Sequence, residues 1–487
     1  MKIKSQNNFW LVQQFKKNSH KIFIKTNGKQ FSYSQIFKLS KLTSLFFIQK
    51  GIKSEDHVSI ISQNNLEFVI VINALWFIGA IPILINNRLK ENEIKNLIIH
   101  SDSQFLITIG KHFNKLFKEE KSTINFEINK LKSKNNFRDF VRFNVSKTAV
   151  MIYSSGSTGN PKLVELTYKN LYSSFYSSNK FIKHKETDIW LASLPFFHIG
   201  GFSIITRAIL SGAVLAIPTS LKENELVNSI KKYKPSLISL VPAMLKKMLD
   251  KEINVWKNLR IIFIGGGPAA QNLISESIQK GFPICNVYGS TETSSMVTFA
   301  EINNLKENGI SAGVTFPNVE LKIIGKNGRK IKDGNIGEIV IISDSVALSY
   351  YKNQKNNNLR TGKYFTSDLG KIDEKGNLHI IGRKDDIIIS GGENISLNEI
   401  RNVIQNNYVD SFETIKIADE KWGESYILIF ERISSEKFKN AVNQILRNNL
   451  ASYKLPKEIL FVKKFPRTAL GKIKKAELTQ NLKLNAA

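Results

Sequence analysis

Tyr153-Ser154-Ser155-Gly156-Ser157-Thr158-Gly159-Asn160-Pro161-Lys162 is the stretch from which the chain is read. The run before it, Ala149-Val150-Met151-Ile152, is apolar and strand-like. Within it, Ser155, Ser157 and Thr158 alternate with Gly156 and Gly159, and Lys162 closes it. Glycines let a backbone turn sharply and bring its N–H groups close to a ligand. Hydroxyls and N–H groups on such a turn donate to phosphate oxygens, and a lysine adds charge. The stretch is not the G-x-x-x-x-G-K-[ST] loop, because Pro161 stands at the second glycine. A flexible polar linker is the competing reading, since Gly/Ser runs often serve as one.

The remaining composition narrows the class. With 487 residues there is room for two or three domains. Hydrophobic content of 42% against 23% charged residues argues for a soluble globular protein. Cys285 is the only cysteine, so no disulfide can form within the chain, which fits a reducing cytoplasm. Met1–Asn18 is mixed and polar, and no signal peptide is expected. Phe68–Ile85 is nearly long enough to span a bilayer, but Asn73, Gly79 and Pro82 interrupt it. It reads instead as a buried helix, capped by Asn64 or Asn65 and ending near Gly79, followed by a strand over Ile81–Ile85. The formal charge of +29 admits a nucleic-acid-binding protein. Against that, the lysines are scattered, and the basic segment after Ala451 lacks the interleaved aromatics of single-strand binders.

From Lys21 to Ile109, helical patterns alternate with apolar runs at Val58–Ile61, Ile81–Ile85 and Phe105–Ile109, which predicts α/β layers. Strands are expected over Leu163–Leu166, Leu259–Ile264 and Pro283–Val287, and a helix over Lys169–Phe181. Trp190–Gly201 turns at Leu194-Pro195-Phe196-Phe197-His198 into a glycine pair. Such a His is a packing residue or a working one. Gly265-Gly266-Gly267-Pro268-Ala269-Ala270 is a loose dinucleotide pattern, without the acidic residue that pattern needs further on. Tyr288-Gly289-Ser290-Thr291-Glu292 offers an aromatic, hydroxyls and a carboxylate at a strand end, which suits a nucleotide base with a metal. Gly309–Gly313 matches a hydrolase elbow, but its flanks lack the strand and helix that motif requires. From Val319 short strands and turns predict a small antiparallel barrel or sheet. A separate α+β segment begins after a linker at Lys384–Asp385.

Taken in order, three of these pieces and three later stretches resemble one family, the adenylate-forming enzymes (acyl- and aryl-CoA ligases, peptide-synthetase adenylation domains and luciferases). They are Tyr153–Lys162, Leu194–His198, Tyr288–Glu292, Tyr364–Gly370, Gly382–Glu393 and Pro466–Lys472, and the resemblance runs from about Asn8 to Leu482. It implies an α/β fold: an N-terminal adenylation domain of layered subdomains plus a small β-barrel, residues 1–384, and a small mobile α+β domain, residues 385–487. It implies that Ser154, Ser155, Gly156, Ser157, Thr158, Gly159 and Lys162 hold the β- and γ-phosphates of ATP. Tyr288 and Gly289, with Gly265, Gly266 and Gly267, are then expected around adenine, and Thr291 at the α-phosphate. Glu292 would ligate Mg²⁺, and Asp368, assisted by Arg383, would bind the ribose hydroxyls. Lys472 would bridge the carboxylate and the α-phosphate. The resemblance further implies a second half-reaction with coenzyme A, with Asp385 as hinge, Gly391 and Gly392 beside the pantetheine tunnel and His198 as its gate. Leu163 departs from the glycine usual after the loop lysine.

Asn86–Leu89, Trp190–Gly201, Gly265–Ala269 and Tyr288–Ser295 are most similar to the branch that activates 2-succinylbenzoate in menaquinone or phylloquinone biosynthesis. Arg207, nine residues after His198, would suit the unreacted carboxylate of a dicarboxylic acid. A medium-chain fatty acid or another aryl acid is the alternative substrate. Small-molecule partners are expected, without nucleic acid or membrane insertion, and a homo-oligomer is left open.

Overall fold

The computed structural model describes residues 8–117, 122–131, 140–154, 161–267, 269–301, 305, 311–325, 327–352, 358–360, 362–390, 393–408, 410–419, 423–450, 452–467 and 473–482. The chain divides into two compact units. One comprises Met1–Ala269, Ser275–Leu321 and Ile341–Tyr364, the other Ala270–Ile274, Lys322–Val340 and Phe365–Ala487. The segments 322–340 and 365–384 thus group with the C-terminal residues, a different partition from an expected boundary after Lys384.

The first unit holds a seven-stranded and a nine-stranded sheet. In the seven-stranded sheet the inner strands His57–Ile61, Ile81–Leu84, Phe105–Ile109 and Thr148–Ser154 run parallel. Lys162–Thr167 then adds antiparallel to Thr148–Ser154, and the short strand Ser349–Tyr350 antiparallel to Lys162–Thr167. The nine-stranded sheet is parallel through Leu237–Leu240, Ile261–Ile264 and Ile284–Ser290, then antiparallel through Ser295–Ala300. Strands such as Ile261-Ile262-Phe263-Ile264 are continuously apolar because a parallel sheet covered on both sides buries both faces of the strand.

The interrupted apolar stretch is a helix, Leu66–Ile78, in which every residue from Phe68 to Ile78 is buried. Asn65 caps it, accepting from Phe68 N at 2.8 Å, and Gly79 ends it at φ +83°. Asn73 donates its Nδ2 to Val69 O at 2.8 Å, while its Oδ1 is buried without a partner among the described residues. Asn64 does something else. Its Nδ2 donates to Leu194 O at 2.8 Å and its Oδ1 accepts from Phe196 N at 2.9 Å, pinning the turn that carries His198. The strand expected over Pro283–Val287 runs instead over Ile284–Ser290, because pairing with Ser295–Ala300 extends it through Tyr288. Among the described residues no helix is long and apolar enough to cross a membrane.

In the second unit, the strand Lys363–Ile372 contributes its residues from Phe365 on, of which those from Asp368 to Ile372 pair antiparallel with Leu378–Arg383. Downstream, Phe412–Asp419 and Gly423–Glu431 are antiparallel, and Glu458–Val462 joins in parallel. Helices Leu397–Asn407 and Glu436–Asn449 pack Ile400, Ile404, Val442 and Leu446 onto Leu428 and Phe430. This is the α+β segment expected after the linker.

The helix Ile199–Ser211 leads directly out of the His198 turn. A Cβ on Gly201 would sit 2.1 Å from Pro195 O, whereas one on Gly200 would meet only Leu194 Cδ1, at 3.1 Å. Backbone cannot swing aside as a side-chain end can. Gly201→Ala is therefore expected to destabilise the fold by about 1–3 kcal/mol, and Gly200→Ala by less, read as the shift in urea midpoint at constant slope.

Candidate active site

Ser155, Gly156, Ser157, Thr158 and Gly159 lie outside the described residues, but the two ends of their loop are placed. Ser154 and Lys162 face each other across the antiparallel pair, and Ser154 Oγ donates to Lys162 O at 3.4 Å. Lys162 Nζ stands 5.2 Å from the centroid of the Tyr350 ring, a cation–π contact.

The strand Ile261–Ile264 delivers Gly265 beside the strand of Tyr288. A Cβ on Gly265 would come within 2.8 Å of Val287 Cγ2, and Gly266 adopts φ +79°. At Gly289 a Cβ would lie 2.0 Å from Ser295 O, so close strand approach demands glycine. A single 3₁₀ turn, Thr291–Thr293, follows, held by Ser290 N donating to Thr293 Oγ1 at 2.9 Å. After it, Ser294 and Ser295 take φ +55° and +100°, strained values for side chains. The turn buries Glu292, 6% exposed, where its Oε1 accepts the Tyr350 hydroxyl at 2.9 Å. Burial first, then the Glu292 carboxylate, raise the Tyr350 pKa, so this phenol stays a donor.

Among the described residues no group of three or more His, Cys, Asp or Glu side chains could cage a metal. A lone carboxylate at a nucleotide site is nonetheless how Mg²⁺ is commonly held, with phosphates and water filling the other positions. Glu292 fits that pattern.

His198 precedes the helix Ile199–Ser211. Its Nε2 is buried without a partner among the described residues. Two turns into that helix, Arg207 is 2% exposed. Its Nη1 donates to Ser203 Oγ at 2.9 Å and Ser295 Oγ at 3.3 Å, and its Nη2 to Ser174 Oγ at 3.0 Å. Among the described residues its Nε has no partner and no carboxylate pairs with this cation. Burial pushes its pKa down to about 9, and at neutral pH it is still charged.

In the second unit, Asp368 and Arg383 are cross-strand partners, and Arg383 Nη1 donates to Asp368 Oδ1 at 2.9 Å and to Thr366 O at 3.1 Å. Asp368 N donates to Thr366 Oγ1 at 3.0 Å, and Ser367 takes φ +59°. The backbone of Asp385 lies in the 3₁₀ turn Lys384–Asp386. Gly391, Gly392 and Lys472 lie outside the described residues.

The residue pattern did not announce Tyr350, Ser174, Ser203 or Ser295. Ser203 had a signal, because it sits one helical turn before Arg207. The other three reach their partners through sheet pairing and helix packing, which no local spacing encodes.

The residues so placed are of the types that a nucleotide-activating enzyme uses. Over residues 11–351 the chain matches the family described as AMP-binding enzyme, and it belongs to that family. The 2-succinylbenzoate–CoA ligase of Listeria innocua is 30% identical over 487 residues, covering 97% of this chain and 98% of that protein. The 2-succinylbenzoate–CoA ligase of Bacillus subtilis is 29% identical over 476 residues, 96% and 97% of the two chains. Among solved structures, the o-succinylbenzoate CoA synthetase of Bacillus subtilis in complex with the acyl-adenylate intermediate OSB-AMP superposes with TM-score 0.90 at 28% identity, covering 97% of this chain and 98% of that one. The same synthetase in complex with ATP and magnesium ion gives 0.89 at 28% identity, covering 96% and 99%. The family and fold implied by the six motifs are therefore those of this chain.

Two buried imidazoles near the site set an acid limit. Burial, then Arg207 and Arg260, lower the His184 pKa to about 3, and burial, then Arg88, lower that of His198 to about 4. Below the ordinary value near 6.5 the unfolded chain binds protons that the folded chain refuses. Their contribution to stability is full above that value and is lost as pH falls toward 4. Urea unfolding from pH 7 to 4.5 should show this decline, and His184→Leu should flatten it.

Proposed function

We propose that this chain joins 2-succinylbenzoate to coenzyme A at the expense of ATP, in menaquinone or phylloquinone biosynthesis. The observation that carries the choice of acid is Arg207. A buried guanidinium whose partners are hydroxyls is a site for an anion, and a second carboxylate supplies one. A fatty acid would leave that charge uncompensated. The near full-length likeness to the two ligases supports the same reading. The reducing compartment suggested by a single, buried cysteine and the need for ATP and coenzyme A favour the cytoplasm.

The first step is attack of the substrate carboxylate on the α-phosphorus, with pyrophosphate leaving. Charge spreads over phosphoryl oxygens, so placed donors and cations supply most of the catalysis. Ser154, Lys162 and the loop between them hold the β- and γ-phosphates. Tyr288 and Gly265–Gly267 flank adenine, Gly289 lets the strands close behind it, and Thr291 donates to the α-phosphate. Arg383 fixes the Asp368 carboxylate, which accepts from both ribose hydroxyls. When bound at Glu292, Mg²⁺ neutralises charge on the phosphates. Lys472 bridges the carboxylate and the α-phosphate.

In the second step the sulfur of coenzyme A attacks the acyl carbon, its proton passing to solvent, the C–O bond to AMP breaks, and AMP carries away the electron pair. His198, neutral at pH 7, gates the thiol's approach, and Gly391–Gly392 line it. Asp385 is the hinge between the steps. Its neighbours are anchored, Arg383 on Asp368 and Asp386 on Arg401 at 2.9 Å. Lys384–Asp385 lies between these two anchors, with Lys384, 64% exposed, paired to Glu338 at 3.6 Å.

A panel of acids in a CoA-ligation assay tests the choice of substrate. 2-Succinylbenzoate should give the thioester, and Arg207→Met should raise KM for it at least tenfold, the worth of about 1.4 kcal/mol, while leaving benzoate unchanged. Thioester from octanoate or benzoate alone would refute the assignment. Separately, Lys472→Ala should abolish adenylate formation, followed as pyrophosphate release, yet largely spare conversion of supplied acyl-adenylate to thioester. Equal loss of both half-reactions would remove the one-step role of Lys472.

A further inference from the structure

Tyr350 touches two groups that the reaction needs and belongs to neither motif. Its two-residue strand pairs with Lys162–Thr167, setting Tyr350 opposite Val164. Lys162 lies two residues before Val164, on the same face of that strand, and so is the diagonal neighbour of Tyr350. That register puts the ammonium 5.2 Å from the ring centroid. The hydroxyl of the same side chain donates to Glu292 Oε1 at 2.9 Å. Tyr350 is 4% exposed, and the segment before it is tied at both ends. Ala347 N donates to Glu292 O at 2.7 Å, and Leu348 N to Glu165 O at 3.0 Å.

We infer that Tyr350 is a positioning residue for the metal–nucleotide complex: its hydroxyl orients the Glu292 carboxylate for Mg²⁺, and its ring holds Lys162 for the phosphates. This rests on the reading of Glu292 as the metal ligand and Lys162 as a phosphate ligand. The physical case has two parts. A carboxylate turns about its terminal bond, and a hydrogen bond to one oxygen fixes its plane and so the direction of the other. A lysine awaiting phosphate must be held without losing its charge. A carboxylate in place of the ring would neutralise it and compete with the ligand, whereas an aromatic face attracts the ammonium and leaves the charge available.

The test is calorimetric titration of the full chain with Mn²⁺·ATP and with ATP in EDTA, no acid being present. Tyr350→Phe keeps the ring and deletes the hydroxyl. It should weaken Mn²⁺·ATP binding about tenfold or more while leaving metal-free ATP within about twofold of the wild type, a spread that a cation–π contact left in place allows. Tyr350→Leu should in addition weaken metal-free ATP by about two- to fivefold, the worth of an exposed to half-buried cation–π contact. Glu292→Gln should reproduce the metal-dependent loss, and the double variant E292Q/Y350F should lose no more than E292Q alone. A purely structural tyrosine would lower the melting temperature and leave the ratio of the two ATP affinities unchanged, which overturns the inference. So do additive losses in the double variant. If E292Q itself leaves Mn²⁺·ATP binding intact, the metal-ligand reading fails, which is distinguishable from loss in E292Q without loss in Y350F.

Discussion

The register that sets Ser154 opposite Lys162 is the constraint on which the rest depends. Register is usually enforced by alternation of apolar and polar residues, but Lys162–Thr167 buries Leu163 and Val164 in succession and so lacks that signal. Its neighbours supply it instead. On one side lies the full pairing with Thr148–Ser154. On the other, Leu348 N donates to Glu165 O at 3.0 Å and Tyr351 N to Leu163 O at 2.8 Å. A slip by one residue would turn Lys162 away from Tyr350 and detach the strand that holds Glu292 in place. Ser154 and Lys162 are therefore placed by sheet hydrogen bonds, and Leu163, where the chain departs from the usual glycine, is fully buried in that strand.

How much of this could be read beforehand depends on the distance over which a feature is encoded. The helix Leu66–Ile78 was legible with both its ends, because an Asn cap and a terminal Gly are local signals. The double asparagine was only half legible. Asn65 caps the helix, but Asn64 clasps a turn some 130 residues away, and nothing in its neighbourhood says so. The strand through Tyr288 came out longer than its apolar run, since antiparallel pairing with Ser295–Ala300 rewards residues that local hydrophobicity ignores. The meeting of Asp368 and Arg383 had no local signal: they are fifteen residues apart and meet only because a turn brings two strands together. Tyr350 was invisible for the same reason on a larger scale, its partner Glu292 being 58 residues earlier.

The buried charges of the first unit explain which of them can serve a ligand. Asp188, 1% exposed, is closed off. Arg260 Nη1 reaches both its oxygens at 2.7 and 2.6 Å, Ser236 Oγ adds a bond at 2.8 Å, and Lys185 N another at 2.8 Å. Such a pair satisfies itself, and a ligand could enter only by breaking it, at the cost of stranding a buried charge. Glu292 and Arg207 are held differently, by neutral hydroxyls: one phenol for the carboxylate, three serines for the guanidinium. Hydroxyls lower the cost of burial without cancelling the charge, so the field of each group is still available to an incoming ion of opposite sign. Glu292 is thereby suited to a cation and Arg207 to an anion. Arg207 lies in the helix Ile199–Ser211 and Glu292 in the turn Thr291–Thr293, and Ser295, three residues after Glu292, accepts from Arg207. The strained φ of Ser294 and Ser295 then has a physical rationale. It brings a hydroxyl back onto Arg207 within three residues of Glu292, so that one short segment carries a buried carboxylate and also meets a buried cation.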